Sequence, residues 1–146
     1  SVRAGGGVRL VTGSAGVTVN GPVNATAFNN TSDARLKKDV QPIGDALALV
    51  SALRGVTFNW DSAVDPTLGL DGRNHIGFLA QEVELVLPQI VVTANDARQT
   101  KAVAYSEVIP VLTEAIKRLK AENDTLQAQN ADILQRLEAL EARLGK

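Results

Sequence analysis

Leu112, Ile116, Leu119, Asn123, Leu126, Asn130, Ile133, Leu137, Leu140 and Leu144 follow one another at alternating spacings of four and three, without a break. Such a 3.5-residue period keeps one narrow apolar seam in line along a helix, and a seam of this kind asks for partner helices. The segment 111–146 is therefore expected to be a long helix in a coiled coil. With Ile116 at position a, both asparagines fall on a positions, and Leu119, Leu126, Ile133 and Leu140 fall on d. Asparagine in a seam costs stability but fixes register, so the pattern favours parallel, in-register association. The seam alone leaves two and three strands open. The rival arrangement packs the helix on its own domain, but nothing upstream has enough apolar surface to cover about 50 Å of helix at about 1.5 Å per residue.

Charge divides the rest of the chain. Residues 1–31 hold two arginines, Arg3 and Arg9, no acid and six of the twelve glycines, while the remainder carries the other 13 basic residues and all 16 acids. Two structural units are expected to meet near Thr31. In the first, VRLVTGSAGVTVNGPVNATAF alternates β-branched or apolar residues with small polar ones around Gly-Ser and Asn-Gly-Pro turns, a pattern of short strands. Thirty such residues cannot bury their own face, so they need a larger β-structure or copies of themselves. The opening SVRAGGG reads as part of a longer chain, with any targeting signal out of view.

Past Ser32 the pattern is mixed α and β. DALALVSALRG, 45–55, predicts a short helix, and VTFNW, 56–60, a strand with Val56, Phe58 and Trp60 on one face. The Asp-Pro and Asp-Gly signals of 61–74 predict a loop. HIGFLAQEVELVLP begins as a strand and becomes an amphipathic helix that Pro88 stops, and IVVTANDARQTKAVAY predicts a hairpin around an Asn-Asp turn. The fold class is α+β: a short β-stalk end, a small mixed head and a long C-terminal helix.

Several function classes recede on composition. A formal charge of −1 offers no bulk attraction to nucleic acid or to an anionic membrane. With no cysteine there is no disulfide scaffold, zinc–thiolate site or thiol nucleophile. The longest charge-free run, Leu10 to Ser32, is too rich in Gly, Asn and Thr to read as a transmembrane span. No metal-ligand spacing and no phosphate-binding glycine loop is found, and AGGGV lacks the lysine and helix of a P-loop. No cofactor is expected.

What remains is TSDARLKK, 31–38. A serine hydroxyl needs a base, and a lysine serves when burial brings its pKa down from about 10.4. Separation by five puts Ser32 and Lys37 on opposite strand faces, or about 140° apart on a helix, so only a turn lets them meet. On spacing alone the pair is a weak catalytic signal, and the pattern reads as a helix N-cap, Ser32, followed by solvated charges. Lys38 is the rival base. His75, the lone histidine, is a candidate proton carrier or oxyanion donor, against packing beside an apolar strand. Gln81 and Glu82 are candidate contacts between subunits, against an exposed helix face, and Trp60 and Tyr105 are expected in the core.

The blocks TSDARLKKDV, FNW, RNHIGFLAQEVELVLPQIV and VAYSEVIPVLTEAIKRLKAE, in that order, resemble the C-terminal intramolecular chaperone domain of phage endosialidases and tailspikes, an auto-processing module also found in the myelin regulatory factor. The resemblance covers residues 32–146. It implies a homotrimer that helps the preceding stalk of the same polypeptide to fold and then cuts itself free, at Thr31–Ser32. By residue, Ser32 matches the nucleophile and Lys37 its basic partner, with Asp33 and Arg35 completing a Ser-Asp-x-Arg-Leu-Lys signature. The implied division is 1–31 stalk end, 32–110 head and 111–146 trimerisation helix, with assembly in the host cytoplasm and the passenger in a virion tail. His75 and Gln81 are supporting candidates. A trimerisation cap that stays attached is the alternative. A membrane-released DNA-binding factor is a third reading, against which the near-neutral charge and the β-rich segment argue.

Overall fold

The computed structural model describes residues 17, 19, 23–66 and 70–145. The expected α+β class is borne out. The short strands anticipated between residues 8 and 28 lie largely outside the described residues, and residues 23–33 contain no strand. Among the described residues, no helix is long and apolar enough to cross a membrane.

Contacts divide the chain into two units. One contains Asp33 and the stretch Asn59–Asn74. Within it, the Asn59 side-chain amide donates to the Gly72 carbonyl at 3.3 Å, and Asp71 accepts from the Arg73 amide at 3.1 Å and from its guanidinium at 2.8 Å. The Asp71 bond to the Arg73 amide is an Asx-type closure by a short polar side chain, the chemistry expected of a loop.

The other unit contains Ala34–Phe58 and the chain from His75 onward. A 3-10 turn, Ala34–Leu36, is closed by the Lys37 amide donating to the Ala34 carbonyl at 3.1 Å. The segment just after Ser32 thus folds as a short 3-10 turn and not as an α-helix. Helix α1, Ala46–Ala52, starts after Asp45 in the left-handed region at φ 48, without a side-chain cap. Strands β1, Val56–Asn59, and β2, Asn74–Gly77, form one two-stranded sheet. Helix α2, Ala80–Val86, ends before Pro88, which opens a 3-10 turn because it can start a helical turn but not continue one. Strands β3, Val91–Thr93, and β4, Lys101–Val103, pair antiparallel with Val92 opposite Ala102. Asp96 organises their turn by accepting the amides of Arg98 at 3.1 Å and Thr100 at 2.9 Å.

Helix α3, Val108–Leu144, runs for 37 residues, about 55 Å at about 1.5 Å per residue. Two apolar stripes share it. Val108, Val111 and Ala115 are buried with Ala46, Val83, Leu87 and Ile90 in the core, and α1 packs along this stripe. The other stripe is the heptad seam, which is exposed in the single chain from Ile116, at 65%, to Leu144. Only the first turns of α3 serve the head.

Two core expectations are corrected. Trp60 lies beyond the end of β1 and is 47% exposed, while Tyr105 is 51% exposed. The apolar face of β1 is made by Val56 and Phe58 alone.

Candidate functional site

Thr31 and Ser32 are both exposed and outside any helix or strand, so the peptide between them lies on accessible, irregular backbone. Asp33 is half-buried, and Arg35 stands exposed within the 3-10 turn. Lys37 and Lys38 follow directly, also exposed. Ser32 and Asp33 close one unit and Lys37 stands in the other, with the 3-10 turn between them in the chain.

His75 is half-buried on β2 and stacks on Phe58, ring centroids 5.6 Å apart and planes inclined by 25°. Gln81 is exposed on α2. Glu82 beside it accepts from Arg54, with Nε to Oε2 at 3.1 Å and a second, shorter bond from Nη2 to Oε1. These hydrogen bonds, foremost among the causes, hold the Glu82 carboxyl below its ordinary value and raise Arg54 above its own. Within the single chain Glu82 thus pairs with a residue 28 positions away in sequence. No local pattern signals such a partner.

Tyr105 is held by stacking and a hydrogen bond although it is half exposed. Its ring stacks on Phe78, centroids 5.8 Å apart, and its hydroxyl accepts the Phe78 amide at 2.9 Å. The same ring walls a mostly apolar hollow of 350 Å³ with Val50, Leu53, Phe78, Ile109 and Leu112. Ile109 and Leu112 continue the heptad seam by spacings of three and four, so the hollow stands at the seam's head. Sequence reading began the seam at Leu112 and missed Ile109, which sits beside the helix-unfriendly Pro110. Lys101 ties the hairpin to α2 through Glu84 at 2.8 Å. Among the described residues, no group of three His, Asp or Glu side chains is placed to hold a metal ion.

Residues 32–92 match the peptidase family described as chaperone of endosialidase, which bears out the resemblance drawn from the sequence blocks. Over 110 residues, 75% of its length, the chain is 28% identical to long tail fiber protein Gp37 of Salmonella phage S16. Over 109 residues, 73% of its length, it is 31% identical to Gp37 of Enterobacteria phages K3 and T2. The chain spans only 15% of the first of these relatives and 8% of the other two.

Proposed function

We propose that residues 32–146 are an intramolecular chaperone that trimerises through α3, helps a preceding tail-fibre stalk to fold, and then cuts the Thr31–Ser32 bond with Ser32 and Lys37. The carrying observation is where the family match begins. It starts at Ser32, where the uncharged segment gives way to charged sequence and where the Ser-Asp-x-Arg-Leu-Lys signature opens. The relatives are long tail fiber proteins, which supports a fibre as the passenger. In this reading residues 1–31 are the stalk's end, 32–110 the head and 111–146 the trimerisation helix. The exposed seam and the hollow at its head support assembly, because a soluble single chain gains nothing by presenting a continuous apolar stripe to water.

The chemistry is an acyl shift followed by hydrolysis. Ser32 Oγ attacks the carbonyl carbon of Thr31 while Lys37 Nζ, in its neutral form, takes the hydroxyl proton. The tetrahedral intermediate collapses as the protonated lysine returns that proton to the Ser32 nitrogen. The C–N bond breaks and an ester joins the Thr31 acyl group to Ser32 Oγ. Water then splits the ester, leaving a carboxylate on Thr31 and a free amine and hydroxyl on Ser32. Asp33, Arg35, His75 and Gln81 are supporting residues.

A lysine acts as a base near neutral pH only when taken out of water. Lys37 is exposed in the single chain, so a neighbouring copy or the folded stalk supplies the desolvation. Cleavage then reports completed assembly. The same exposure favours the second reading, a cap that trimerises and stays attached.

Intact mass under denaturing conditions separates the two. An auto-protease yields fragments 1–31 and 32–146, while Ser32→Ala and Lys37→Ala stay whole. A parent chain that stays whole while forming a stable trimer leaves the retained cap and removes the catalytic reading.

A further inference from the structure

We propose that the Asn123 layer of the assembled helix binds a small monovalent anion of halide size on the trimer axis, and that the Asn130 layer does not. The inference rests on the trimer reading above. Its observation is a bond within one helix: Gln127 Nε2 donates to Asn123 Oδ1 at 2.7 Å.

That bond changes what Asn123 offers the seam. A side-chain amide carries two N–H donors and an oxygen with two acceptor sites. Gln127, four residues on at an e position, occupies one acceptor site from the flank of the seam. Each copy then brings two donors and one free acceptor site to the layer. After the copies pair with one another, one N–H per helix is left over, and three such donors converge on the axis.

Water fits this arrangement poorly. A water oxygen accepts two hydrogen bonds, so one donor stays unserved, and its own two O–H groups need acceptors. The layers above and below are Leu119 and Leu126, which provide none. A halide accepts from all three donors and brings no proton. Its desolvation is offset by three charge-assisted hydrogen bonds in a dry site, and the three donors are spared the cost of being buried unpaired.

Asn130 sits at the same heptad position with a different neighbour. Four residues on stands Leu134, which has no amide to occupy the Asn130 oxygen. Donors and acceptors in that layer are then equal, and three asparagines can close a ring among themselves. One heptad therefore separates an anion site from a self-satisfied polar layer.

Crystals of the full chain grown in sodium bromide test this directly. Anomalous density on the three-fold axis is expected at Asn123 and not at Asn130, and a bare axis at Asn123 or equal density at both layers overturns the proposal. In solution, replacing gluconate by bromide at constant ionic strength is expected to raise the melting midpoint by on the order of 1 °C per tenfold rise in bromide above saturation. Asn123→Ile should abolish that dependence and Asn130→Ile should keep it; a dependence that survives Asn123→Ile refutes the site. Light scattering separates the two levels of the argument. A mass other than three copies withdraws the trimer reading and this site together, whereas three copies with no bromide withdraw the anion site alone.

Discussion

A Cβ placed on Gly77 would stand 2.5 Å from the Tyr105 hydroxyl oxygen and 3.3 Å from the Phe58 ring. The hydroxyl cannot step aside without cost, because it accepts the Phe78 amide at 2.9 Å and its ring is stacked on Phe78. Gly77 is therefore a position of close approach between the end of β2 and the segment leading into α3. Through it the first sheet, the wall of the hollow and the start of the seam are locked together.

Gly77→Ala is expected to destabilise the chain by about 1–3 kcal/mol, the usual cost of overpacking a well-filled site. Tyr105→Phe removes the obstructing oxygen but leaves the Phe78 amide short of a partner, at about 1 kcal/mol. The two losses share one contact, so the double variant should be clearly more stable than the sum of the singles predicts. Urea unfolding of all four chains measures this, and strict additivity would show that the hydroxyl is not what meets position 77.

Acid should loosen the joint between α1 and α2. The Glu82 carboxyl is held below its ordinary value, first by the hydrogen bond from Arg54 and also by the Arg54 charge, against a desolvation that pushes the other way. A carboxyl whose folded pKa is depressed contributes stability above its unfolded pKa, about 4.3, and loses it as pH falls through the lower folded value. Asp96 adds a contribution of the same sign, held down chiefly by the Thr100 amide. Both groups are solvent-accessible, so the slope is shallow. Glu82→Gln and Arg54→Met should each flatten the acid limb of a stability-against-pH curve, and by the same amount, because they remove one interaction. Unequal flattening would mean that Glu82 has a second partner.

The seam should be severable from the head. Val108, Val111 and Ala115 carry the intramolecular packing of α3, and no seam residue beyond them belongs to that core. Leu126→Asp puts a carboxylate into every seam layer at that level, at a cost of several kcal/mol for each buried charge, yet it touches nothing in the single-chain core. Light scattering is expected to show the mass of one chain, circular dichroism a head still folded, and intact mass an uncut Thr31–Ser32 bond. Efficient cutting by that single chain would detach cleavage from assembly.

Local pattern made much of this architecture legible. The 3.5-residue period over Leu112–Leu144, the switch from strand to helix between His75 and Ala80, the stop at Pro88 and the hairpin around Asp96 all arise from neighbours in sequence, and all stand in the structure. Relationships between distant residues left no such trace. Arg54 finds Glu82 and Gly77 yields to Tyr105 across 28 residues in each case, and neither spacing has a period. Trp60 and Tyr105 were expected in the core because large aromatics usually are, but among the described residues the core is made by small and aliphatic side chains, and both aromatics are about half exposed. The site was legible in part. The Ser-Asp-x-Arg-Leu-Lys run named the candidates, whereas nothing in the sequence signals that Ser32 and Lys37 both stand exposed in the single chain.

Strand direction can be tested through charge. In a parallel, in-register seam, the g residue of one helix meets the e residue five positions on in its neighbour. With Ile116 at a, Arg136 is a g residue and Glu141 an e residue, so the pair is attractive between copies. Within its own helix Arg136 reaches Asp132 only at 3.8 Å, long for a hydrogen bond, and its side chain is largely exposed. It is available to a neighbour. Exposed pairs are worth about 0.2–1 kcal/mol, and a trimer repeats the pair around its axis. Arg136→Glu and Glu141→Arg should each lower the melting midpoint, with a penalty that shrinks as salt rises. The double exchange should recover most of the loss. In an antiparallel arrangement Arg136 would not meet residue 141 of its neighbour, and the exchange would restore nothing. Recovery in the double variant therefore reads out parallel register without a crystal, and its absence would overturn the orientation inferred from Asn123 and Asn130.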